Sequence, residues 1–287
     1  MKRIPADWPN REHSQTIRIG NLDWHVQIAG SGPVVLLLHG TGGSAHSWSD
    51  LIPLISPHCK VIAPDLPGHA FTLGAGIDEL RLDQIARSLQ SLIDYLGIEG
   101  PTIVVGHSAG APLAIRFAVL APKQPRVVVA LNPSFIPPPP FYTRFFGPLL
   151  GPITRSSLLS NMLSLIPAGF GMVDKLLDST NTQLPEERKS YYRRLFQQSD
   201  HVRGAMNFMA AADIDTVLIE AGLYKGKLIC ILGAQDAWIP SKPLAKIIRD
   251  YFPAATTLQW EGGHIMHELE PHKVSQIILE ELKASVI

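Results

Sequence analysis

Residues 106–110 read Gly106-His107-Ser108-Ala109-Gly110, and they are the most informative stretch of the sequence. It directly follows an apolar, β-branched run at 102–105, and it directly precedes a helix-type pattern that extends to Leu120. A serine at such a strand-to-helix turn sits in a sharp bend, and small neighbours allow its hydroxyl to project at the sheet edge. The stretch therefore predicts that Ser108 is a nucleophile held at a turn between a buried strand and a helix.

Further apolar runs alternate with helix-period stretches on both sides of this turn. They cover residues 34–38, 60–63, 102–105, 126–131, 228–232 and 255–260. Runs without a polar face are typical of parallel strands that helices cover on both sides. Apolar residues from Leu82 to Leu96 recur at helical spacing and stop at Gly97, and the same spacing returns near the end of the chain. The alternation predicts an α/β fold with a mostly parallel central sheet flanked by helices.

One long interval breaks this alternation. Four prolines occupy 137–140, and the next strand pattern begins only at Leu228. We therefore predict that residues 134–212 form an inserted helical lid, and that residues 1–133 and 213–287 form the core. Pro185 and the two glutamates that follow it suit the first turn of a lid helix.

A serine hydroxyl needs a general base, and that base needs an acid to orient it. In folds of this type the acid follows a late strand and the histidine follows the last strand. Asp236 lies just beyond the run at 228–232, and His264 lies in a glycine turn just beyond the run at 255–260. The order Ser108, Asp236, His264 predicts a catalytic triad. The alternative for Asp236 is a plain turn aspartate.

Acyl transfer also needs hydrogen-bond donors where the carbonyl oxygen gains negative charge. The serine turn supplies the backbone N–H of Ala109. We assign the second donor to the backbone N–H of Thr41, because the glycine-rich loop at 39–43 can turn an N–H group inward. The alternative is that these glycines only form a turn.

The expected substrate pocket combines residues beside the serine with residues of the predicted lid. They are His39, Gly40, His107, Phe141, Phe145, Phe146 and Trp238. His39 and His107 are interpreted as structural hydrogen-bonding residues rather than second bases. From Phe141 to Val173 the only charges are Arg144 and Arg155, so the lid should supply an apolar pocket surface. Packing of the lid onto the core, or contact with a membrane surface, are the alternative uses of that surface.

Composition excludes several classes of protein. Hydrophobic residues make up 46% of the 287 residues and charged residues 17%, which supports a large core. Lys plus Arg and Asp plus Glu are both 25, without a block of like charges, so nucleic acid is not an expected partner. Glycine and proline interrupt the longest apolar stretch, so stable membrane insertion is not expected. The polar start lacks a secretory signal, which favours a cytoplasmic location.

No metal site or cofactor is expected. The order His264-x-x-His267-Glu268 differs from the helical zinc-protease pattern, and His267 and Glu268 are expected to begin the final helix. Cys59 and Cys230 are expected to be unpaired and buried.

The sequence resembles the α/β-hydrolase superfamily across nearly its whole length. The matching motifs are Leu38-His39-Gly40-Thr41-Gly42-Gly43, Pro64-Asp65-Leu66-Pro67-Gly68-His69, Gly106 to Gly110, Asp236 and Gly263-His264. More narrowly, Asp7-Trp8-Pro9-Asn10-Arg11, Trp24-His25-Val26-Gln27, His39 to Ser44 and Ser47-Trp48 look like the BchO branch, named for magnesium-chelatase accessory proteins of bacteriochlorophyll operons. Ala70 stands where the Asp-Leu-Pro-Gly-His-Gly pattern usually ends in glycine.

The resemblance implies a serine hydrolase scaffold, and the first hypothesis is hydrolysis of small to medium apolar carboxylic esters through an acyl-enzyme. Epoxide hydrolases and dehalogenases of this fold normally carry aspartate at the turn that holds Ser108, called the nucleophile elbow. The serine at this position argues against both classes. Carbon–carbon hydrolases and haloperoxidase-like members keep a serine and remain alternatives. A further alternative is an accessory or ligand-binding protein associated with magnesium chelatase, which the resemblance alone suggests. The sequence leaves the oligomeric state open.

Overall fold

The computed structural model describes residues 3–136 and 171–284. Its strands are β1 (Ser14–Ile19), β2 (Leu22–Ala29), β3 (Val34–Leu38), β4 (Lys60–Pro64), β5 (Ile103–His107), β6 (Val127–Leu131), β7 (Lys227–Gly233) and β8 (Thr256–Trp260). They form one sheet in the order β1-β2-β4-β3-β5-β6-β7-β8. Pairing is antiparallel between β1 and β2 and between β2 and β4, and parallel from β4 to β8. The predicted α/β fold with a mostly parallel sheet is confirmed.

The six predicted runs coincide with β3 to β8 to within two residues at each end. The sequence analysis missed β1 and β2. Their burial is mixed, because β1 faces solvent over much of its length and β2 contains buried polar side chains such as His25 and Gln27. A run of that composition lacks the apolar continuity that marks the parallel strands.

The described helices cover both faces of the sheet. They are α1 (Leu51–Ile55), α2 (Leu82–Tyr95), α3 (Gly110–Leu120), α4 (Met172–Asp178), α5 (Glu186–Phe196), α6 (Ser199–Ala210), α7 (Ile214–Ile219), α8 (Ser241–Tyr251) and α9 (Pro271–Lys283). Apolar residues of α2, α3 and α8 pack on one face, and those of α1 and α9 pack on the other. Strands β3, β5 and β6 are therefore buried along their whole length, which explains their uninterrupted apolar sequences.

Local signals account for several helix boundaries. Gly97 adopts a φ of 67° just after α2, so the glycine supplies the left-handed residue that ends a helix. Helix α5 begins at Glu186 directly after Pro185, as predicted. The prediction that His267 and Glu268 begin the final helix is wrong. Both lie in a 3-10 turn, and α9 begins at Pro271, whose missing N–H suits a first helical turn.

Helices α4, α5 and α6 belong to the chain between β6 and β7, where the lid is predicted. Phe141, Phe145 and Phe146, which were expected in the pocket, lie outside the described residues, as does the proline run at 137–140. Cys59 and Cys230 are buried free thiols. Within the part of the chain that the structure describes, every helix is too short or too polar to cross a membrane.

Candidate active site

The turn at 106–110 joins β5 to α3 with little room. A Cβ on Gly106 would lie 2.3 Å from the carbonyl oxygen of Gly110, and a Cβ on Gly110 would lie 2.3 Å from that of Leu38. Ser108 has a φ of 50°, in the left-handed region that costs a residue other than glycine roughly 1–2 kcal/mol. The glycines make the tight turn sterically allowed, and the strained serine presents its hydroxyl above the carboxyl end of the sheet.

Ser108, His264 and Asp236, from three loops, form a hydrogen-bonded chain that ends at this hydroxyl. Nε2 of His264 lies 2.9 Å from Oγ of Ser108, and Nδ1 of His264 lies 2.8 Å from Oδ2 of Asp236. Because carboxylate oxygens accept, Nδ1–H donates to Asp236 and leaves Nε2 to accept the proton of Ser108. The other oxygen of Asp236 accepts from the backbone N–H groups of Trp238 and Ile239, each at 2.8 Å, which fixes the rotation of the carboxylate.

Asn132 links the loops that carry Asp236 and His264. Its Nδ2 donates to the carbonyl oxygens of Gly263 at 3.0 Å and His264 at 2.9 Å, and its Oδ1 accepts from the N–H of Gly233 at 2.6 Å. The residue adopts a φ of 43°, which asparagine tolerates better than most side chains. The sequence analysis assigned no role to Asn132. An asparagine at the end of the strand beside the elbow was the available signal.

Ser134 is a second site residue that the sequence analysis missed. Its Oγ lies 3.1 Å from Oγ of Ser108, and its N–H donates to the carbonyl oxygen of Ser108. When the Ser108 proton points to His264, the hydroxyl of Ser134 can only donate to Oγ of Ser108. Ser134 thereby helps to hold the hydroxyl of Ser108 in one orientation.

The two histidines beside the elbow have different positions. His107 lines the cavity, its Nε2 donates to the carbonyl oxygen of His264 at 2.8 Å, and burial lowers its pKa well below the ordinary histidine value. His39 lies outside the cavity wall. Its Nδ1 donates to the carbonyl oxygen of Gly40 and its Nε2 accepts from the N–H of Leu66, while burial lowers its pKa. Both neutral rings brace the loops around the nucleophile.

The loop after β3 passes directly against the elbow. A Cβ on Gly40 would lie 2.9 Å from Cβ of Ser108, so only glycine allows this approach. The N–H of Gly43 donates to the carbonyl oxygen of Gly40 at 3.1 Å and closes the turn. Thr41 and Ala109 both line the cavity with Ser108. Residues from two separate segments, the loop after β3 and the turn at 106–110, therefore line the cavity together.

A cavity of about 400 Å³ opens over Ser108. Most of its lining surface is apolar, with Asp213 and Asp215 among the polar exceptions. The apolar side chains are those of Ala109, Phe135, Ile136, Leu176, Leu177, Phe196, Met209, Ala212, Ile214, Trp238, Ile239 and Ile265. Of the expected pocket residues within the described chain, Gly40, His107 and Trp238 line it. The Trp238 ring stacks on His264 with centroids 5.2 Å apart, so it covers the base as well as the cavity.

On the side of the predicted lid, the cavity wall includes a buried hydrogen-bonded cluster around Tyr192. Tyr192 of α5 donates to Oε1 of Glu268 at 2.6 Å, and its oxygen lies 3.3 Å from Oγ of Ser47. Burial raises the pKa of Glu268 to about 7, and the guanidinium of Arg188 lies 3.7 Å from its other oxygen. Sequence reasoning missed this cluster, because its members are far apart in the chain.

Comparison with known proteins agrees with this geometry. Residues 35–277 match the sequence profile described as the alpha/beta hydrolase family. The chain belongs to the alpha/beta hydrolase family. The Rhodobacter capsulatus magnesium-chelatase 30 kDa subunit is 31% identical to this protein. The match covers 98% of the present chain and 99% of the relative. The superfamily and BchO-branch resemblances seen in the sequence are thus confirmed.

Other members of the alpha/beta hydrolase family are similar over shorter stretches or in fold alone. The Burkholderia cepacia 2-hydroxy-6-oxo-6-phenylhexa-2,4-dienoate hydrolase is 33% identical over 40% of this hydrolase and 42% of its own length. A laboratory-evolved variant of a potato epoxide hydrolase superposes with a TM-score of 0.77 at 20% identity, covering 94% of this chain and 99% of that chain. The names of these two relatives record different substrates, so similarity to them does not identify a substrate for this protein.

Across residues 3–136 and 171–284, no three side chains of His, Cys, Asp or Glu come together as a metal site would require.

Proposed function

We propose that this protein is a serine hydrolase that cleaves small to medium apolar carboxylic esters through an acyl-enzyme. The observation that carries the proposal is the continuous hydrogen-bonded chain from Asp236 through His264 to the hydroxyl of Ser108. A nucleophile, a base and an orienting acid at bonding distance are the requirements of covalent acyl transfer. A residue that only packs or only binds needs no such arrangement.

In the proposed reaction, Oγ of Ser108 attacks the ester carbonyl carbon while its proton passes to Nε2 of His264. Negative charge grows on the carbonyl oxygen, and the N–H groups of Thr41 and Ala109 are assigned to it. His264 then gives the proton to the departing alcohol, which leaves an acyl group on Ser108. Water attacks this acyl-enzyme with His264 again as base, and the carboxylic acid and free Ser108 result.

The cavity supports the choice of substrate class. Its volume of about 400 Å³ and its largely apolar wall suit a short acyl chain rather than a charged or sugar-bearing group. Each methylene that enters such a wall gains about 0.8 kcal/mol of transfer free energy. Transition-state binding should therefore strengthen along a homologous series until the cavity is full.

The test is kcat/KM for p-nitrophenyl acetate, butyrate, hexanoate and octanoate. We expect kcat/KM to rise along the first members of the series and then to level or fall. Ser108→Ala is the matched control, because it removes the hydroxyl and little packing, and it should abolish both turnover and labelling by a fluorophosphonate. Near-wild-type turnover in this variant would refute the assignment, and a preference for charged esters would refute the apolar pocket.

A second candidate function rests on the full-length similarity to the magnesium-chelatase subunit. In that case the protein would act as an accessory factor of the chelatase, and the cavity would retain a ligand. The hydrogen-bonded triad favours catalysis, since retention of a ligand places no demand on these three side chains together. Co-purification with chelatase subunits from a cytoplasmic extract tests the association, and the same extract tests the inferred cytoplasmic location.

Cleavage of a carbon–carbon bond is another alternative, favoured by the similarity to the Burkholderia cepacia hydrolase. Both reactions would use the same serine. The ester series therefore tests carbon–carbon cleavage only if a substrate of carbon–carbon hydrolases is assayed beside the esters. Faster turnover of a vinylogous diketone than of every ester would replace the ester assignment.

A further inference from the structure

His201 lies on α6, far from the triad in sequence, and it is completely buried. Its Nδ1 accepts a hydrogen bond from the backbone N–H of Ala70 at 3.0 Å. The neutral ring must therefore carry its proton on Nε2, which lies 3.2 Å from the carbonyl oxygen of Gly42. One ring thus joins a helix from the predicted lid to two loops of the core.

Gly42 follows Thr41 in the loop that faces the nucleophile. The loop contains three glycines between residues 40 and 43, and Gly42 itself has a φ of 75°, so its peptides are free to adopt many orientations when unrestrained. A hydrogen bond to the Gly42 carbonyl removes much of that freedom. On the same side, a Cβ on Gly42 would lie 3.1 Å from the ring of Phe196, which also restricts the loop.

Helix α6 is itself held close to the core. A Cβ on Gly204, one turn after His201, would lie 1.9 Å from the carbonyl oxygen of Gly68, so the helix and loop backbones are in direct contact. The His201 ring also packs against His69 and Phe196, with ring centroids 5.5 Å apart in both cases. Close backbone contact and ring packing together set the position of Nε2 relative to Gly42.

We propose that His201 is a positioning residue that holds the Gly42 carbonyl and thereby aims the backbone N–H of Thr41 at the reacting carbonyl oxygen. The inference rests on the proposed acyl-transfer function. A donor that acts on developing charge stabilises the transition state more than the bound ester. Loss of the His201 contact should therefore lower kcat and leave KM nearly unchanged.

Two substitutions separate the two hydrogen bonds of the ring. His201→Gln keeps an N–H donor that reaches Gly42, and His201→Asn keeps an acceptor near Ala70 but is too short to reach Gly42. We expect kcat of His201→Asn to fall about ten- to a hundredfold with KM within about twofold, the size of effect that misplacement of a catalytic group produces. His201→Gln should recover most of the loss.

Phe208→Leu is the control for packing. Phe208 lies on the same helix, is fully buried beside His69, and does not line the cavity. The Phe208→Leu variant should have a lower melting temperature but an unchanged kcat. Equal kcat in the asparagine and glutamine variants, or a loss of kcat that follows melting temperature across all three variants, would overturn the positioning role.

The experiment also separates this inference from the function on which it rests. A wild-type protein that neither hydrolyses the ester series nor reacts with a fluorophosphonate contradicts acyl transfer, and the positioning role falls with it. An active wild type with unchanged kcat in His201→Asn contradicts the positioning role alone. Long-range 1H–15N spectra of the Ser108→Ala protein supply a readout without turnover: protonated Nε2 on His201 is expected, and protonated Nδ1 overturns the inference.

Discussion

The triad side of the cavity and the side of the predicted lid are built in different ways. Ser108, Asp236 and His264 each lie within a few residues of the end of a parallel strand, so the sheet itself brings them together. On the opposite side, Tyr192 and His201 reach Ser47 and Gly42 across sequence separations of 145 and 159 residues. The first side depends on local turn geometry, and the second depends on how helices dock. The proposed chemistry therefore lies on the more strongly specified side, and the proposed positioning contact of His201 lies on the side of the docked helices.

Two variants with the strongest predicted losses of activity test the strand-end side alone. Asp236→Asn keeps the size of the side chain, but its amide no longer provides the acceptor that selects the Nδ1–H tautomer of His264. We expect kcat to fall about 10⁴-fold, while the melting temperature changes little. Measurements of kcat and kcat/KM with the ester series, taken across a range of pH, test this prediction.

His264→Ala is the companion variant, and it should lose more activity than Asp236→Asn because the base transfers the proton itself. Small and equal effects in the two variants would show that these side chains do not act as a triad. The strand-end side would then have no demonstrated catalytic role.

The same difference explains which parts could be predicted from the sequence. The strands β3 to β8 and the strand-end positions of Ser108, Asp236 and His264 follow from apolar runs and glycine turns, which are local signals. Asn132 and Ser134 also lie just after a predicted strand. Their roles could not be predicted, because their hydrogen-bond partners lie on other loops. Tyr192 has no local signal, because its partner Glu268 is 76 residues away and is reached through helix packing.

The next expected effect concerns the contact between the two sides. Glu268 is buried against Tyr192, and burial is the main reason that its pKa is raised to about 7. A raised pKa means that ionisation opposes folding, so the favourable contribution is complete below the unfolded value near 4.5 and is lost as pH rises through about 7. Glu268→Gln removes this ionisation and keeps an oxygen that accepts from Tyr192. At pH 8 the variant should be more stable by roughly 3 kcal/mol, because it avoids the cost of ionising a buried carboxyl whose pKa is raised to about 7.

Urea unfolding at pH 4 and at pH 8 measures this effect as the difference between variant and wild type. The difference should be near zero at pH 4 and should grow towards pH 8. Buried His46 and His267, whose pKa values burial lowers to about 3, contribute equally to both proteins and cancel. Glu280→Gln, at an exposed position on α9, is the matched control and should show little change at either pH. A constant difference across the range would contradict the burial of an ionisable carboxyl at this contact.

The smallest expected effect lies at Ala70, where the sequence departs from the glycine of the family pattern. Ala70 has a φ of 45°, and strain in this region costs about 1–2 kcal/mol, which a glycine would relieve. Its methyl group is buried with Trp8 and Leu195, however, and removing it costs about 0.8 kcal/mol. Glycine also makes the unfolded chain more flexible, at about 0.4–1 kcal/mol.

These contributions nearly cancel, so Ala70→Gly should change the free energy of unfolding by less than about 0.5 kcal/mol. Ala114→Gly is the matched control, because Ala114 is a fully buried alanine inside α3, where glycine brings no relief of strain and should destabilise by about 1–2 kcal/mol. Urea unfolding of both variants measures the difference between the two sites. The N–H of Ala70 still donates to His201 in the glycine variant, so kcat should be unchanged. Equal destabilisation at the two alanines would mean that the loop at Ala70 relaxes its strain by moving, and that helix α6 holds it less firmly than the hydrogen bond to His201 implies.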